Sequence, residues 1–256
     1  MSEKLILNDP ELPEASKETA EKIPDTLFKI TLIRHEKTNY TEEGDDLTED
    51  GAKDAYETGE KLKESGFIDE NDDLQIFHSP QARAAGTARL VAEGAELTEV
   101  KKRTLNQIRQ SDIPDWDTFV NHVEELSFDH ERVAEAHHND LERFENSPEF
   151  IEPISKKRTR LYKALEYLIR NTNKPTLSDK TPHLIAVSHY EIITLLIDDV
   201  FGIETMESYH SPSHGEVVYI TGKDSGENKK TLLEVTFRGE TKEVYFNSNT
   251  RSIEQI

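Results

Sequence analysis

The sequence predicts an α/β protein: a mostly parallel central sheet with helices on both faces, a helical insertion and antiparallel C-terminal strands. Three observations carry that prediction. Short apolar, β-branched runs alternate with longer helix-patterned stretches through most of the chain, which is the order of β–α–β units. One long interval, residues 116–150, is charged, poor in glycine and helical in pattern throughout. Near the end, three strand-like runs follow one another with only turns between them, as antiparallel edge strands do.

The elements follow in order. The first 26 residues are polar and punctuated by proline, which predicts a mobile arm ahead of one domain over residues 27–256. Residues 28–33, FKITLI, form an apolar and β-branched run expected as a buried strand. The run stops at Arg34-His35 and enters an acidic loop containing Gly44. Thr48 offers a capping hydroxyl to a helix reaching about Ser65, with Gly66 as terminator. Residues 74–77 form a second short strand. Ser79-Pro80 then places a capping hydroxyl before proline at the first helical position, and that helix ends near Gly94. A third strand is expected over residues 98–101. Beyond the 116–150 insertion, Pro153 opens a helix to about Arg170, and the linker NTNKPTLSDKTP leads to a strand at 183–187. The next helix ends at Phe201-Gly202, and the tail strands are expected at 216–220, 231–237 and 242–246.

Composition narrows the function. At 256 residues the chain can bury a substantial core. It has no cysteine, so there is no disulfide framework, no thiolate nucleophile and no Cys-based metal site. The N-terminus lacks the basic-then-apolar order of a signal peptide, and no apolar run approaches the ~18 residues of a membrane span. A soluble, cytoplasmic protein is expected. The net charge of −21 argues against nucleic acid and anionic membranes as partners, since both would be repelled. An anionic substrate would need a local basic island in this acidic surface.

Such an island is legible at the strand ends. Ligands of open α/β sheets bind beyond the carboxyl ends of the strands. Here one strand runs into Arg34-His35, a second into His78-Ser79 with Arg83 one turn into the following helix, and a third into Ser188-His189. If these strands are neighbours, two imidazoles and two guanidiniums converge. That set suits phosphoryl transfer: one imidazole nitrogen attacks phosphorus, guanidinium forks hold the oxygens, and a second imidazole stabilises developing charge. Helix N-termini would add backbone donors.

The segments LIRHEKT, LTEDGAKDA, FHSPQARAAGTARLVA and LIAVSHYEIITLLI resemble, in order, the signature blocks of the histidine phosphatase superfamily, the phosphoglycerate-mutase-like fold. The resemblance runs from about Ile30 to Gly202, with the insertion poorly matched. Each block alone is weak; four in order are specific. The resemblance implies His35 as the phospho-accepting nucleophile, Arg34 and Arg83 as phosphate ligands, His189 as the second imidazole, and Thr38 as a hydroxyl lining the phosphate pocket. It implies no metal and no cofactor.

The departures from that pattern matter as well. The family's usual glycine after the nucleophile is Glu36 here, a carboxylate that could pair with a guanidinium in the pocket or point away to solvent. The glycine after the late Ser-His is Tyr190, and an asparagine six positions after the nucleophile is Thr41. The general acid, often a glutamate in a Leu-x-Glu block, aligns with Gln107. Glutamine cannot protonate a leaving alkoxide, which forfeits ~10²–10⁴-fold. Either another carboxylate serves, with Asp112 further along the loop the first candidate, or the substrate has a good leaving group, as in an aryl phosphate, acyl phosphate, phosphohistidine or phosphoanhydride.

Taken singly, Arg34 reads as a surface ion pair and His35 as a satisfied core histidine; the ordered blocks outweigh that. His78 reads as a packing or hydrogen-bonding residue, and His214 as structural or as bordering the site. His122, His130, His137 and His138 in the insertion do not repeat a metal-ligand spacing and read as a solvated helix face. Trp116 reads as core of the insertion. The leading function is a phosphatase acting on a phosphorylated substrate through a phosphohistidine. The alternatives are a catalytically impaired phosphate-binding or scaffold protein, and a phosphoglycerate-mutase-type phosphotransferase.

Overall fold

The computed structural model describes residues 26–41, 44–115, 117, 121, 151–172, 180–202, 211–227 and 229–256. Apart from Thr26, the expected arm lies outside them. So does most of the expected insertion, with Trp116 and its four histidines. Among the described residues the main element is an eight-stranded sheet in the order β10-β9-β8-β7-β1-β6-β4-β5. Strands β1 (Thr26–Arg34), β4 (Asp72–His78), β5 (Lys102–Thr104) and β6 (Thr181–Ser188) run parallel. Strands β7 (Val217–Asp224), β8 (Lys230–Phe237), β9 (Glu240–Asn247) and β10 (Ser252–Gln255) continue the same sheet in antiparallel sense from the other edge of β1.

Alternation along the strands sorts the core onto two faces. Ile30 and Leu32 of β1 and Leu184 and Ala186 of β6 pack with α3 (Ile154–Thr172) and α4 (Tyr190–Phe201). Ile33, Ile185 and Val187 point the other way, onto α1 (Glu49–Glu64) and α2 (Ala82–Gly94). Helices α1 and α2 touch at glycines. A Cβ on Gly59 would lie 2.1 Å from the Val91 carbonyl oxygen, and one on Gly94 would lie 2.0 Å from that of Tyr56. Neither position admits a side chain without separating the helices. Beneath the sheet centre, buried His183 of β6 bonds Asp72 of β4 (2.9 Å) and Thr31 of β1 (2.8 Å), while Lys29 pairs with Asp72 at 3.0 Å. This network ties the three strands whose other ends carry the site.

Several local expectations change. The acidic loop after His35 is a hairpin of β2 (Thr38–Thr41) and β3 (Gly44–Leu47). The strand expected at 98–101 forms instead at Lys102–Thr104, because the preceding residues close a turn in which the Val100 amide donates to the Leu97 carbonyl. Ser79 does not cap α2. That helix starts at Ala82 with Gln81 at the cap position and no side-chain capping bond, since the Ser79 hydroxyl is engaged elsewhere. Thr48 does cap α1, accepting from the Gly51 amide at 2.9 Å. Strand β10 had no distinct signal in the sequence.

Candidate active site

The site forms where the carboxyl ends of β1, β6 and β4 lie side by side. Arg34 stands opposite Ser188, and His78 opposite Val187. The ladder runs one residue further on each side of β6: the His35 amide donates to the Ser188 carbonyl and the Ser79 amide to the Val187 carbonyl, both at 2.9 Å. His35, Ser79 and His189 therefore leave the sheet at one level. His189 itself is the N-cap residue of α4.

A cavity of about 260 Å³ opens on these ends, lined by Arg34, His35, Thr38, Arg83 and His189 among others. His35 is buried, and its Nδ1 lies 2.8 Å from the Glu36 carbonyl oxygen. A carbonyl only accepts, so the proton sits on Nδ1 and Nε2 carries a lone pair. Arg83 Nε donates to that Nε2 at 3.1 Å. Burial, and after it the neighbouring His189 imidazole, hold the His35 pKa well below its ordinary value. The ring is thus neutral, with a nucleophilic nitrogen directed at a guanidinium.

His189 is held neutral as well, by burial first and by the charges of Arg83 and Arg34 next. Its ring centroid is 5.0 Å from that of His35. Its Nε2 lies 2.6 Å from Ser79 Oγ and 3.2 Å from Gln81 Oε1, and Ser79 Oγ donates to that same Gln81 oxygen. Gln81 Oε1 can only accept, which puts the His189 proton on Nε2 and fixes the ring.

Both guanidiniums are fixed from behind. Arg34 donates to the Pro212 carbonyl (2.6 Å), lies 3.1 Å from His214 Nε2, and stacks its guanidinium carbon 5.2 Å from the Tyr190 ring centre. Arg83 also bonds Gln110 Oε1. Thr87 Oγ1 donates to the Arg83 carbonyl (2.9 Å) and accepts from the Glu36 amide (3.0 Å), which locks the β1 exit to α2. The Thr38 hydroxyl is buried in the cavity wall with no hydrogen-bond partner among the described residues. A buried hydroxyl without a partner is costly, and an oxyanion in the cavity would supply one. With Arg34, Arg83 and Lys37 against the single lining carboxylate of Glu191, this is a basic island in a chain of net charge −21.

Four of the residues singled out from the sequence stand elsewhere. Glu36 does not line the cavity, nor does it point to solvent: it is 2% exposed, and its Oε1 occupies the space beside Gly215 where a Cβ would come within 1.8 Å. Gly215, at φ +69°, is the residue that permits this approach. Burial, with Asp54 nearby, pushes the Glu36 carboxyl up to about 7. The Gln107 side chain is outside the cavity; its carbonyl accepts from Arg160 at 2.8 Å. Asp112 is outside too, with a 60% exposed side chain gripped by Arg109 through both carboxylate oxygens. His78 bonds the Ser79 carbonyl and does not reach the cavity.

The loop that disappoints as an acid source still shapes the site. Arg160 of α3 grips buried Glu152 through two nitrogens, 3.1 and 2.5 Å, and donates to the Gln107 and Arg109 carbonyls at 2.8 and 2.7 Å. This clamp holds Gln110 against Arg83. Four cavity residues had no sequence assignment: Gln110, Tyr190 as a stacking partner, Glu191 and Lys37. Glu191 was the findable one, since it lies in the first turn of a helix that starts at a strand's carboxyl end. His214, read as structural or bordering, does line the cavity, with its ring centre 5.8 Å from that of His35. A second hollow, about 310 Å³ along α3 by Lys156 and Lys163, holds no imidazole. No cluster of His, Asp or Glu among the described residues is arranged to hold a metal ion.

Comparisons with known proteins bear on the family and the fold. The family model described as histidine phosphatase superfamily (branch 1) matches residues 30–234. Among solved structures, the fold is similar to a phosphoglycerate mutase from Bacillus anthracis, with TM-score 0.55, 18% identity, and 90% of this chain and 92% of that one covered. It is similar to a mycobacterial glucosyl-3-phosphoglycerate phosphatase, with TM-score 0.51, 17% identity and coverage of 76% and 90%. YhfR of Bacillus stearothermophilus gives TM-score 0.54, 19% identity and coverage of 83% and 97%. A search of curated protein sequences returned no match.

Proposed function

The chain belongs to the histidine phosphatase superfamily, and on that premise we propose that it is a metal-independent phosphatase working through a phosphohistidine on His35. A phosphoryl group enters between Arg34 and Arg83, with the Thr38 hydroxyl as a further donor. The Arg83 Nε–H turns from His35 to a phosphoryl oxygen, freeing the Nε2 lone pair. Nε2 then forms a bond to phosphorus as the bond to the leaving oxygen breaks. His189 lies beside the transferring group, where anionic charge on the oxygens favours its protonated form and offsets the loss from the two guanidiniums. Water later cleaves the P–N bond and releases phosphate.

The observation that carries this reading is the state of His35: a neutral, buried imidazole whose Nδ1 proton is fixed by a carbonyl and whose Nε2 faces the Arg83 guanidinium. A core histidine kept only for packing has no reason to expose its lone pair to an arginine in a solvent-filled cavity. Among family activities, hydrolysis is preferred over mutase chemistry, because the acid block and the determinants for a substrate carboxylate are not legible. The compartment proposed is the cytoplasm, and the partner a small phosphorylated compound.

The test is rapid quenching with para-nitrophenyl phosphate at mildly acidic pH. The wild type should give a burst of nitrophenol and an acid-labile, base-stable phosphoprotein; His35→Ala should give neither while remaining folded. Appreciable turnover in His35→Ala would overturn the assignment. Binding of phosphate without any burst would favour the scaffold reading. Transfer of label between positions of a phosphoglycerate would favour the mutase.

A further inference from the structure

We propose that Glu191 is the general base that activates water to hydrolyse the phosphohistidine. The inference rests on the phosphatase reading above and assigns its second step. Glu191 is the single carboxylate among the described residues lining the cavity, and it stands two residues beyond His189 in the first turn of α4. Its Oε1 accepts from the Ser111 amide at 2.9 Å, which aims the side chain at the wall formed by the loop carrying Gln110. That wall is rigid through the Arg160–Glu152 clamp. With Oε1 engaged, Oε2 has no hydrogen-bond partner among the described residues.

The other carboxylates near the cavity are excluded by position. Asp112 is held outward by Arg109, Glu152 is consumed by Arg160, and Glu36 is wedged behind Gly215. With no donor bonded to Oε2, Glu191 is placed to accept a proton from water, which is what the second step requires. Its Oε2 takes a proton from water as the water oxygen bonds to phosphorus. The P–N bond breaks, and its electron pair returns to His35 Nε2. Inorganic phosphate and neutral His35 result, and the proton on Glu191 passes to solvent.

Glu191→Gln separates this role from a structural one, because the amide oxygen can still accept from Ser111 but cannot take a proton. With labelled para-nitrophenyl phosphate, the variant should form phosphohistidine in a burst near the wild-type rate. The phosphoenzyme should then decay ~10²-fold or more slowly and accumulate. Glu191→Asp, which restores a carboxylate, should recover part of the decay rate. Decay at the wild-type rate would overturn the proposal. A burst slowed as much as the decay would overturn it too, by making Glu191 a positioning residue. Absence of any phosphoenzyme in the wild type would instead refute the phosphatase reading beneath it.

Discussion

Replacing Glu36 with glutamine should make the protein's stability respond differently to pH. Glu36 is buried beside Gly215, and burial lifts its pKa from 4.5 to about 7. At ~1.4 kcal/mol per tenfold, that gap means ionising the group in the folded state costs about 3 kcal/mol. The folded pKa lies above the unfolded one, so between them the folded form holds more protons and stability falls as pH rises. Above about pH 7 the full cost applies, whereas at pH 5 only about 1 kcal/mol remains. The isosteric amide cannot ionise. Relative to wild type, Glu36→Gln should gain about 2 kcal/mol on going from pH 5 to pH 8. Protonation of His35 and His189 is common to both proteins and cancels in that comparison. Urea melts at the two pH values, with m held constant, measure it. A stability difference identical at both pH values would refute the reasoning, because it would mean that Glu36 ionises in the fold as it does in water.

Arg83→Ala removes the guanidinium that faces His35, and it should weaken vanadate inhibition by about 2 kcal/mol or more, in line with a lost charge-assisted bond; unchanged inhibition would place Arg83 outside the phosphate pocket. Across phosphate esters of graded leaving-group pKa, the rate of phosphorylation should fall steeply as the leaving group becomes more basic, since neither Gln107 nor Asp112 lines the cavity to protonate it. Asp112→Asn and Gln107→Glu should leave that slope unchanged, and a steepening on Asp112→Asn would return the acid's role to Asp112. Because the folded pKa of His35 is depressed, its nucleophilic form persists as pH drops through 6.5. The acid limb of kcat/KM should therefore lie well below 6.5, and a limb at 6.5 would contradict a buried, neutral nucleophile.

The sheet's parallel half was readable because its strands are buried on both faces and so are written as unbroken apolar runs, as in residues 28–33 and 183–187. Helix limits at Thr48 and Gly202 were readable from capping chemistry alone. Strand β5 was misplaced because a three-residue edge strand has almost no periodicity of its own, and β10 was missed for the same reason. In the site, Arg34, His35, Arg83 and His189 were legible because each follows a strand end at a fixed spacing. The fate of Glu36, Gln107 and Asp112 was not legible. Whether a loop carboxylate meets a cavity, a neighbouring arginine or a glycine depends on contacts with Arg109, Arg160 and Gly215, which are distant from it or interchangeable in the sequence. Ser79 shows the same competition. Its hydroxyl suited a helix cap by local sequence, and a histidine brought in from 110 residues away took it instead.

Strand β1 carries the nucleophile, yet both of its neighbours are encoded late: β6 at Thr181–Ser188 and β7 at Val217–Asp224. During synthesis, which proceeds from the N-terminus, an apolar strand therefore leaves the ribosome with both edges unpaired. It stays so until nearly the whole chain has followed. The order of β1 in the sheet thus makes the site a late product of translation, assembled by pairings of long sequence separation that are intrinsically slow. A nascent chain stalled before residue 212 would expose one side of β1 as a template for aggregation, and it would lack both β7 and the segment 212–215 that holds Arg34 in place.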